Sequence, residues 1–136
     1  MTALTADRNT LRRDGVDFEY PVKSGAKIFT GSIVAISTAN GFATKGATAT
    51  TLKCVGVAQE QADNTNGADG DILVKVRRGV YRFANSASTD AITLADVGAD
   101  CYLVDDQTVA KTSNTNARSV AGKVEDVDSS GVWVRF

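Results

Sequence analysis

Ile72-Leu73-Val74-Lys75-Val76-Arg77-Arg78-Gly79-Val80-Tyr81-Arg82-Phe83 is the stretch that decides the fold class. Ile72, Val74 and Val76 alternate with Leu73, Lys75 and Arg77, the period-two pattern of a β-strand with one covered face. The phase then changes, because Tyr81 and Phe83 fall at odd positions. The switch lies at Arg77-Arg78-Gly79. A one-residue bulge there would place Val74, Val76, Tyr81 and Phe83 on one face, with Gly79 supplying the positive φ that one bulge type needs.

Downstream, residues 89–98 form the only helix candidate. Ile92, Leu94 and Ala95 are apolar, Asp90 is a candidate N-cap and Gly98 a C-terminal stop, with room for at most about two turns. Residues 101–104 read as a strand, Asp105-Asp106 as a turn and 107–111 as the returning strand. Residues 112–116 are a polar loop. The alternating apolar residues of 119–127 and 132–136 form a last hairpin around Asp128-Ser129-Ser130-Gly131.

Upstream, residues 63–71 are a polar loop, and 54–58 a strand whose far limit is Gln61. Residues 44–51 are rich in Ala, Thr and Gly and read as a loop. Asn40-Gly41 is a two-residue hairpin signal between Ile36 and Phe42. Residues 27–37 are rich in β-formers, with Gly31 marking a bulge or sharp bend. Phe18, Tyr20 and Val22 alternate in a short strand, which Pro21 confines to a sheet edge or a strand end. Many short strands separated by Gly, Asn and Asp turns predict an all-β fold. The expected architecture is a single small β-barrel or β-sandwich-like domain over 20–136, with one short helix and an extended arm over 1–19.

The composition agrees with one soluble domain: 136 residues, 43% hydrophobic and 23% charged. Fifteen Lys plus Arg face sixteen Asp plus Glu, a net charge of −1. That balance lacks the basic excess usual in nucleic-acid binders. No apolar run approaches the roughly 18 residues that span a bilayer. The first residues, Met1-Thr2-Ala3-Leu4-Thr5-Ala6-Asp7-Arg8, lack a charged segment followed by an apolar one, so manufacture and retention in the cytoplasm are expected. There is no His, which excludes Ser-His-Asp and Cys-His nucleophiles and His-ligated zinc. Cys54 and Cys101 are expected to be free, buried core residues.

The candidate chemical motifs weigh toward structure. Gly67-Ala68-Asp69-Gly70 lacks the Gly-Lys-Ser/Thr ending of a phosphate loop. Asp105-Asp106 and Asp126/Asp128 fit no EF-hand spacing and suit solvated hairpin turns, although paired glycosidase carboxylates are a spatial and not a sequential pattern. Lys75, Arg77, Arg78 and Arg82 are the densest basic patch, read as an exposed strand face without an RNA-binding aromatic motif. A contact with a partner protein stays open there. No catalytic, cofactor-binding or metal-binding residue is expected.

The polar N-terminal segment makes the strongest functional suggestion. Arg8, Arg12 and Arg13 stand beside Asp7 and Asp14, without helical or strand period. Arginine makes bidentate contacts and is enriched at interfaces, and an extended arm can add to a partner's sheet edge. On the residues alone, an interface arm and a frayed terminus without a role are equally good readings.

Several segments, in their order along the chain, resemble tailed-bacteriophage head decoration (capsid cement) proteins. They are Ala6-Asp7-Arg8-Asn9-Thr10, Tyr20-Pro21-Val22 through Gly31-Ser32-Ile33-Val34-Ala35, Val55-Gly56-Val57-Ala58, and Val97-Gly98-Ala99-Asp100-Cys101-Tyr102-Leu103-Val104-Asp105-Asp106. Ala121-Gly122-Lys123-Val124 and Val132-Trp133-Val134 complete the set. The resemblance implies a small non-enzymatic β protein on the outer capsid surface of the virion, assembled in the host cytoplasm. It further implies a homotrimer that bridges neighbouring subunits of the major capsid protein and stabilises the DNA-filled head, with no nucleic-acid or membrane partner. The expected capsid-binding residues are Asp7, Arg8, Asn9, Thr10, Arg12, Arg13, Phe18 and Tyr20. The rival expectations are another virion component, such as a head spike, fibre or tail subunit, and, less favoured, a carboxylate glycosidase on a β scaffold.

Overall fold

The computed structural model describes residues 2–136; Met1, the first residue of the expected arm, lies outside the described residues. Twelve strands follow in chain order: β1 (Asp17–Pro21), β2 (Lys27–Ile28), β3 (Ile33–Ser37), β4 (Ala43–Lys45), β5 (Leu52–Ala58), β6 (Ala62–Asp63), β7 (Leu73–Arg77), β8 (Val80–Asn85), β9 (Asp100–Leu103), β10 (Thr108–Ala110), β11 (Val120–Asp128) and β12 (Gly131–Arg135). The fold is all-β.

β8 to β12 form a closed barrel in the order β10-β8-β12-β11-β9. Its pairings are antiparallel except that of β10 with β8, which is parallel. The 119–136 hairpin expected from alternation is β11–β12, with Val124 opposite Val134 and Val127 opposite Val132. β11 bulges against β9 between Val120 and Gly122. A Cβ on Gly122 would stand 2.3 Å from the Arg135 carbonyl oxygen, so this approach of β12 admits only glycine. The barrel is filled by Leu103, Val109, Val124, Val132 and Val134, with Phe83 and Ile92 beside them.

The second sheet runs β1-β7-β5-β3-β4. It covers its own core of Val22, Ile28, Val34, Ala43, Ala58, Ala62, Val74 and Val76, with the β2–β6 pair alongside. β3 and β5 serve both cores. Ile33 and Val57 belong to the barrel core, while their neighbours Val34 and Ala58 belong to the second. Burial on both faces explains the unbroken apolar run Ile33-Val34-Ala35-Ile36, which no single-sided strand requires.

Several details differ from the sequence expectation. Arg77-Arg78-Gly79 is not a bulge within one surface. β7 pairs with β1 and β5, whereas β8 pairs with β12 and β10, so the phase change marks the chain leaving one core for the other. Val74 and Val76 therefore face the second core, and Tyr81 and Phe83 the barrel.

Residues 89–98 do not form the expected short helix but two 3-10 turns, Ser88–Asp90 and Leu94–Asp96. The Asn85 side chain explains the break. Its Oδ1 accepts from Ile92 N–H at 2.9 Å and its Nδ2 donates to Ile92 C=O at 2.8 Å, holding buried Ile92 extended between the turns. Thr93, not Asp90, is the capping residue, paired reciprocally with Asp96.

Asn40-Gly41 does join β3 to β4, but through a longer loop: Ser37 N–H donates to Phe42 C=O, and Gly41 N–H returns to Ser37 C=O. β4 also takes the first residues of the stretch read as a loop over 44–51. β5 begins at Leu52 and ends at Ala58, short of Gln61.

Candidate functional site

The N-terminal arm is the candidate site, and its root is where the structure is most specific. Residues 2–16 form no strand and are exposed. Leu4 is 70% and Leu11 90% accessible, so these apolar side chains find no cover among the described residues. The strand begins at Asp17, so the arm spans 2–16 and the body starts at 17, three residues earlier than the expected boundary between 19 and 20.

β1 is an edge strand, as Pro21 predicts. It pairs antiparallel with β7: Asp17 opposite Arg77, Phe18 opposite Val76, Glu19 opposite Lys75 and Tyr20 opposite Val74. Phe18 and Tyr20 thus lie on the covered face, with rings stacked at 6.1 Å and 20°. Arg78 lies over the Phe18 ring at 4.7 Å, and Arg13 of the arm at 5.9 Å. On the open face, Arg77 Nε donates to Asp17 Oδ1 at 2.8 Å. That bond, followed by the carboxylate's charge, raises the Arg77 pKa above its ordinary value. Arg78 N–H donates to Val16 C=O at 2.9 Å, which fixes the point where the arm leaves the sheet. Arg13, Asp17, Phe18, Leu73, Lys75 and Arg77 border a shallow groove of about 670 Å³ beside this root.

The eight expected arm residues therefore divide. Arg13, Phe18 and Tyr20 come together at the root. Among the described residues Arg12 pairs only with Asp14, at 3.3 Å and in solvent. Asp7, Arg8, Asn9 and Thr10 are exposed and far along the arm, without a side-chain hydrogen bond among the described residues. Arg77 and Arg78, legible in the sequence as part of the basic patch, and Asp17, which no sequence feature marked, belong to the same cluster. The matched period of Phe18/Tyr20 and Val74/Val76 was the available signal, and it does not say which strands pair.

The fold keeps Lys75, Arg77 and Arg78 of the basic patch at the β1 root and carries Arg82 to the barrel. Lys75 approaches Glu60 at 4.0 Å, Arg77 holds Asp17, Arg78 covers Phe18, and Arg82 lies 5.8 Å over Trp133 on the barrel. Asp105-Asp106 lies in the turn between β9 and β10, whereas Asp126 and Asp128 belong to β11, opposite Trp133 and Gly131, and not to the hairpin turn expected for them. Asp105 accepts from Gln107 N–H, and Asp106 from the Ser32 hydroxyl. Asp128 accepts from Trp133 Nε1 at 2.9 Å and from Ser130 and Gly131 N–H. The Trp133 bond comes first among the causes that lower its pKa. Among the described residues no cluster of three or more His, Cys, Asp or Glu is placed to hold a metal. No helix among them is long and apolar enough to cross a membrane.

Both cysteines are free. Cys101 is fully buried; Cys54 is half-buried, more open than expected. Burial pushes the Cys54 thiol up to about 12 and Cys101 to about 11. Both are protonated at neutral pH and poor nucleophiles. Comparison with protein families, with curated proteins and with solved structures finds no match.

Proposed function

We propose that the protein is a capsid decoration protein of a tailed bacteriophage: a non-enzymatic β body that seats on the outer surface of the major capsid protein, as a trimer, and bridges neighbouring capsid subunits. The observation that carries this reading is the arm. Fifteen described residues (2–16) extend without strand pairing or burial from an edge strand whose root is held by Asp17–Arg77 and by the Arg13–Phe18–Arg78 stack. A free segment on a fixed root suits a partner that completes it. Its ordering cost is met on binding, and repetition over a shell multiplies modest contacts through effective concentration.

The test is removal of residues 2–16, keeping the strand from Asp17. The truncated protein is expected to fold and to lose attachment to expanded heads in a cosedimentation assay. Heads decorated equally well by the full and truncated chains overturn the role of the arm. Location of the protein on the tail and not the head, in a virion reconstruction, overturns the capsid reading itself.

A further inference from the structure

Two Asn-Gly pairs occur in this chain, Asn40-Gly41 and Asn66-Gly67, and both asparagines are exposed. Such pairs undergo one spontaneous reaction. The glycine backbone nitrogen attacks the asparagine Cγ, a C–N bond closes a five-membered succinimide, and ammonia leaves with the side-chain nitrogen. Water then opens the ring at either carbonyl, giving aspartate or isoaspartate. The reaction needs a free asparagine side chain and a glycine nitrogen able to swing onto it.

The fold treats the two pairs differently. In the β3–β4 loop, Asn40 Oδ1 accepts from Phe42 N–H at 2.9 Å. Gly41 N–H donates to Ser37 C=O at 2.7 Å. Electrophile and nucleophile are thus both held. In the 63–71 loop, the Asn66 side chain makes no hydrogen bond among the described residues, and Gly67 N–H reaches Asn64 C=O only at 3.2 Å. We infer that Asn66 is a site of spontaneous deamidation and isoaspartate formation in the folded protein, and that the β3–β4 loop protects Asn40 from it.

The site matters because of what stands beside it. Asn64 is buried and donates to the carbonyls of Val22, Lys23 and Ala68. Asp69 holds Lys23 Nζ at 2.8 Å and Ser24 N–H at 2.8 Å. Isoaspartate at 66 lengthens the backbone inside the Asn64–Gly67 turn and adds a negative charge near Asp63, Asp69 and Asp71. The loop that clasps the end of β1 is the part that ages.

The experiment incubates the full chain in mildly alkaline buffer, folded and in concentrated urea, and follows both Asn-Gly peptides by mass spectrometry with isoaspartate detection. In urea the two sites should react at similar rates. In the folded protein Asn66 should react about tenfold faster than Asn40, the factor expected for one additional hydrogen bond that must break before ring closure. Equal folded rates, a faster Asn40, or a folded Asn66 that stays unreacted while the urea sample converts would each overturn the inference.

Discussion

The barrel of β8 to β12 closes on itself through continuous ladders, whereas the sheet of β1, β7, β5, β3 and β4 closes at a single point. Its two edges meet only where Val22 bridges Ala43 in parallel, with Lys23 N–H donating to the Ala43 carbonyl at 2.9 Å. Along β1, Val16 C=O and Val22 N–H bond toward the β7 side, so by ladder alternation Asp17 and Glu19 turn their backbone groups outward. Pro21 offers no N–H there. A closed barrel has no edge to offer a partner; the second sheet keeps a short one, blunted by two acids and a proline, and the arm departs from it. One half of the molecule is finished within the chain, and the other ends in a feature that a partner can complete.

Shared strands tie the halves together, and the largest predicted effects test that tie. Leu103→Ala in the barrel core should cost about 2–5 kcal/mol, because a fully buried side chain is replaced by a cavity. Val74→Ala in the second core removes less volume and should cost about 2 kcal/mol. Trp133 lies on β12 of the barrel and reports on that half by its fluorescence. Since β3 and β5 line both cores, Val74→Ala should shift the Trp133 urea transition as far as a circular-dichroism transition. A Trp133 transition left unmoved by Val74→Ala would make the halves separate folding units.

The clasp at the open sheet's single closure is next. Asn64→Ala should cost about 1–3 kcal/mol, since the carbonyls of Val22, Lys23 and Ala68 lose their donor in a buried setting. Loss of less than a surface substitution costs, roughly 0.5 kcal/mol, would show that water replaces the amide there.

Acid should weaken both halves together. Asp63 and Asp69 near the clasp, and Asp90, Asp96 and Asp128 on the barrel side, all have pKa values lowered below 3.8. The leading causes are hydrogen bonds from Thr65, Lys23, Thr112, Thr93 and Trp133 respectively. A carboxyl with a depressed folded pKa stabilises fully above its unfolded value, and that contribution disappears as pH falls through the folded value. The thermal midpoint should therefore hold down to about pH 4 and fall below it. With His absent, no imidazole contributes a step between pH 5 and 8, so a midpoint change in that interval would point to another group.

The sequence made the strands legible wherever burial was one-sided. Alternation marked β7, β11 and β12, and Pro21 marked an edge. It misled where one chain segment serves two cores. The shift at Arg77-Arg78-Gly79 was visible, but a bulge and a change of sheet leave the same trace locally, and only the pairing of β7 with β1 and of β8 with β12 separates them. In the 89–98 stretch the Asp90 cap signal misled, since Thr93 takes that role, and Asn85, outside that window, decides against a helix by bonding both backbone groups of Ile92. The candidate site was half legible for the same reason. Arg13 and Phe18 were evident as arm and strand residues, while Arg77 and Arg78 join them through a pairing some sixty residues distant in sequence.

The smallest effect on stability is expected from the variant with the largest expected effect on attachment. Removing residues 2–16 deletes no buried side chain. It takes away Arg13 from the Phe18 ring, an exposed cation–π pair worth about 0.5–1 kcal/mol. It also takes the Val16 carbonyl from Arg78 N–H, a surface donor that can turn to water instead. Arg78 still covers the Phe18 ring and Asp17 keeps Arg77, so the root survives. The unfolding free energy followed through Trp133 should consequently fall by no more than about 1 kcal/mol. A larger drop would mean that the arm packs on its own body in solution, and an arm already spent on its own sheet is a poor candidate for gripping a capsid. A midpoint that barely moves, together with failed cosedimentation, instead assigns the arm to the partner and confines the fold's stability to the two cores that β3 and β5 share.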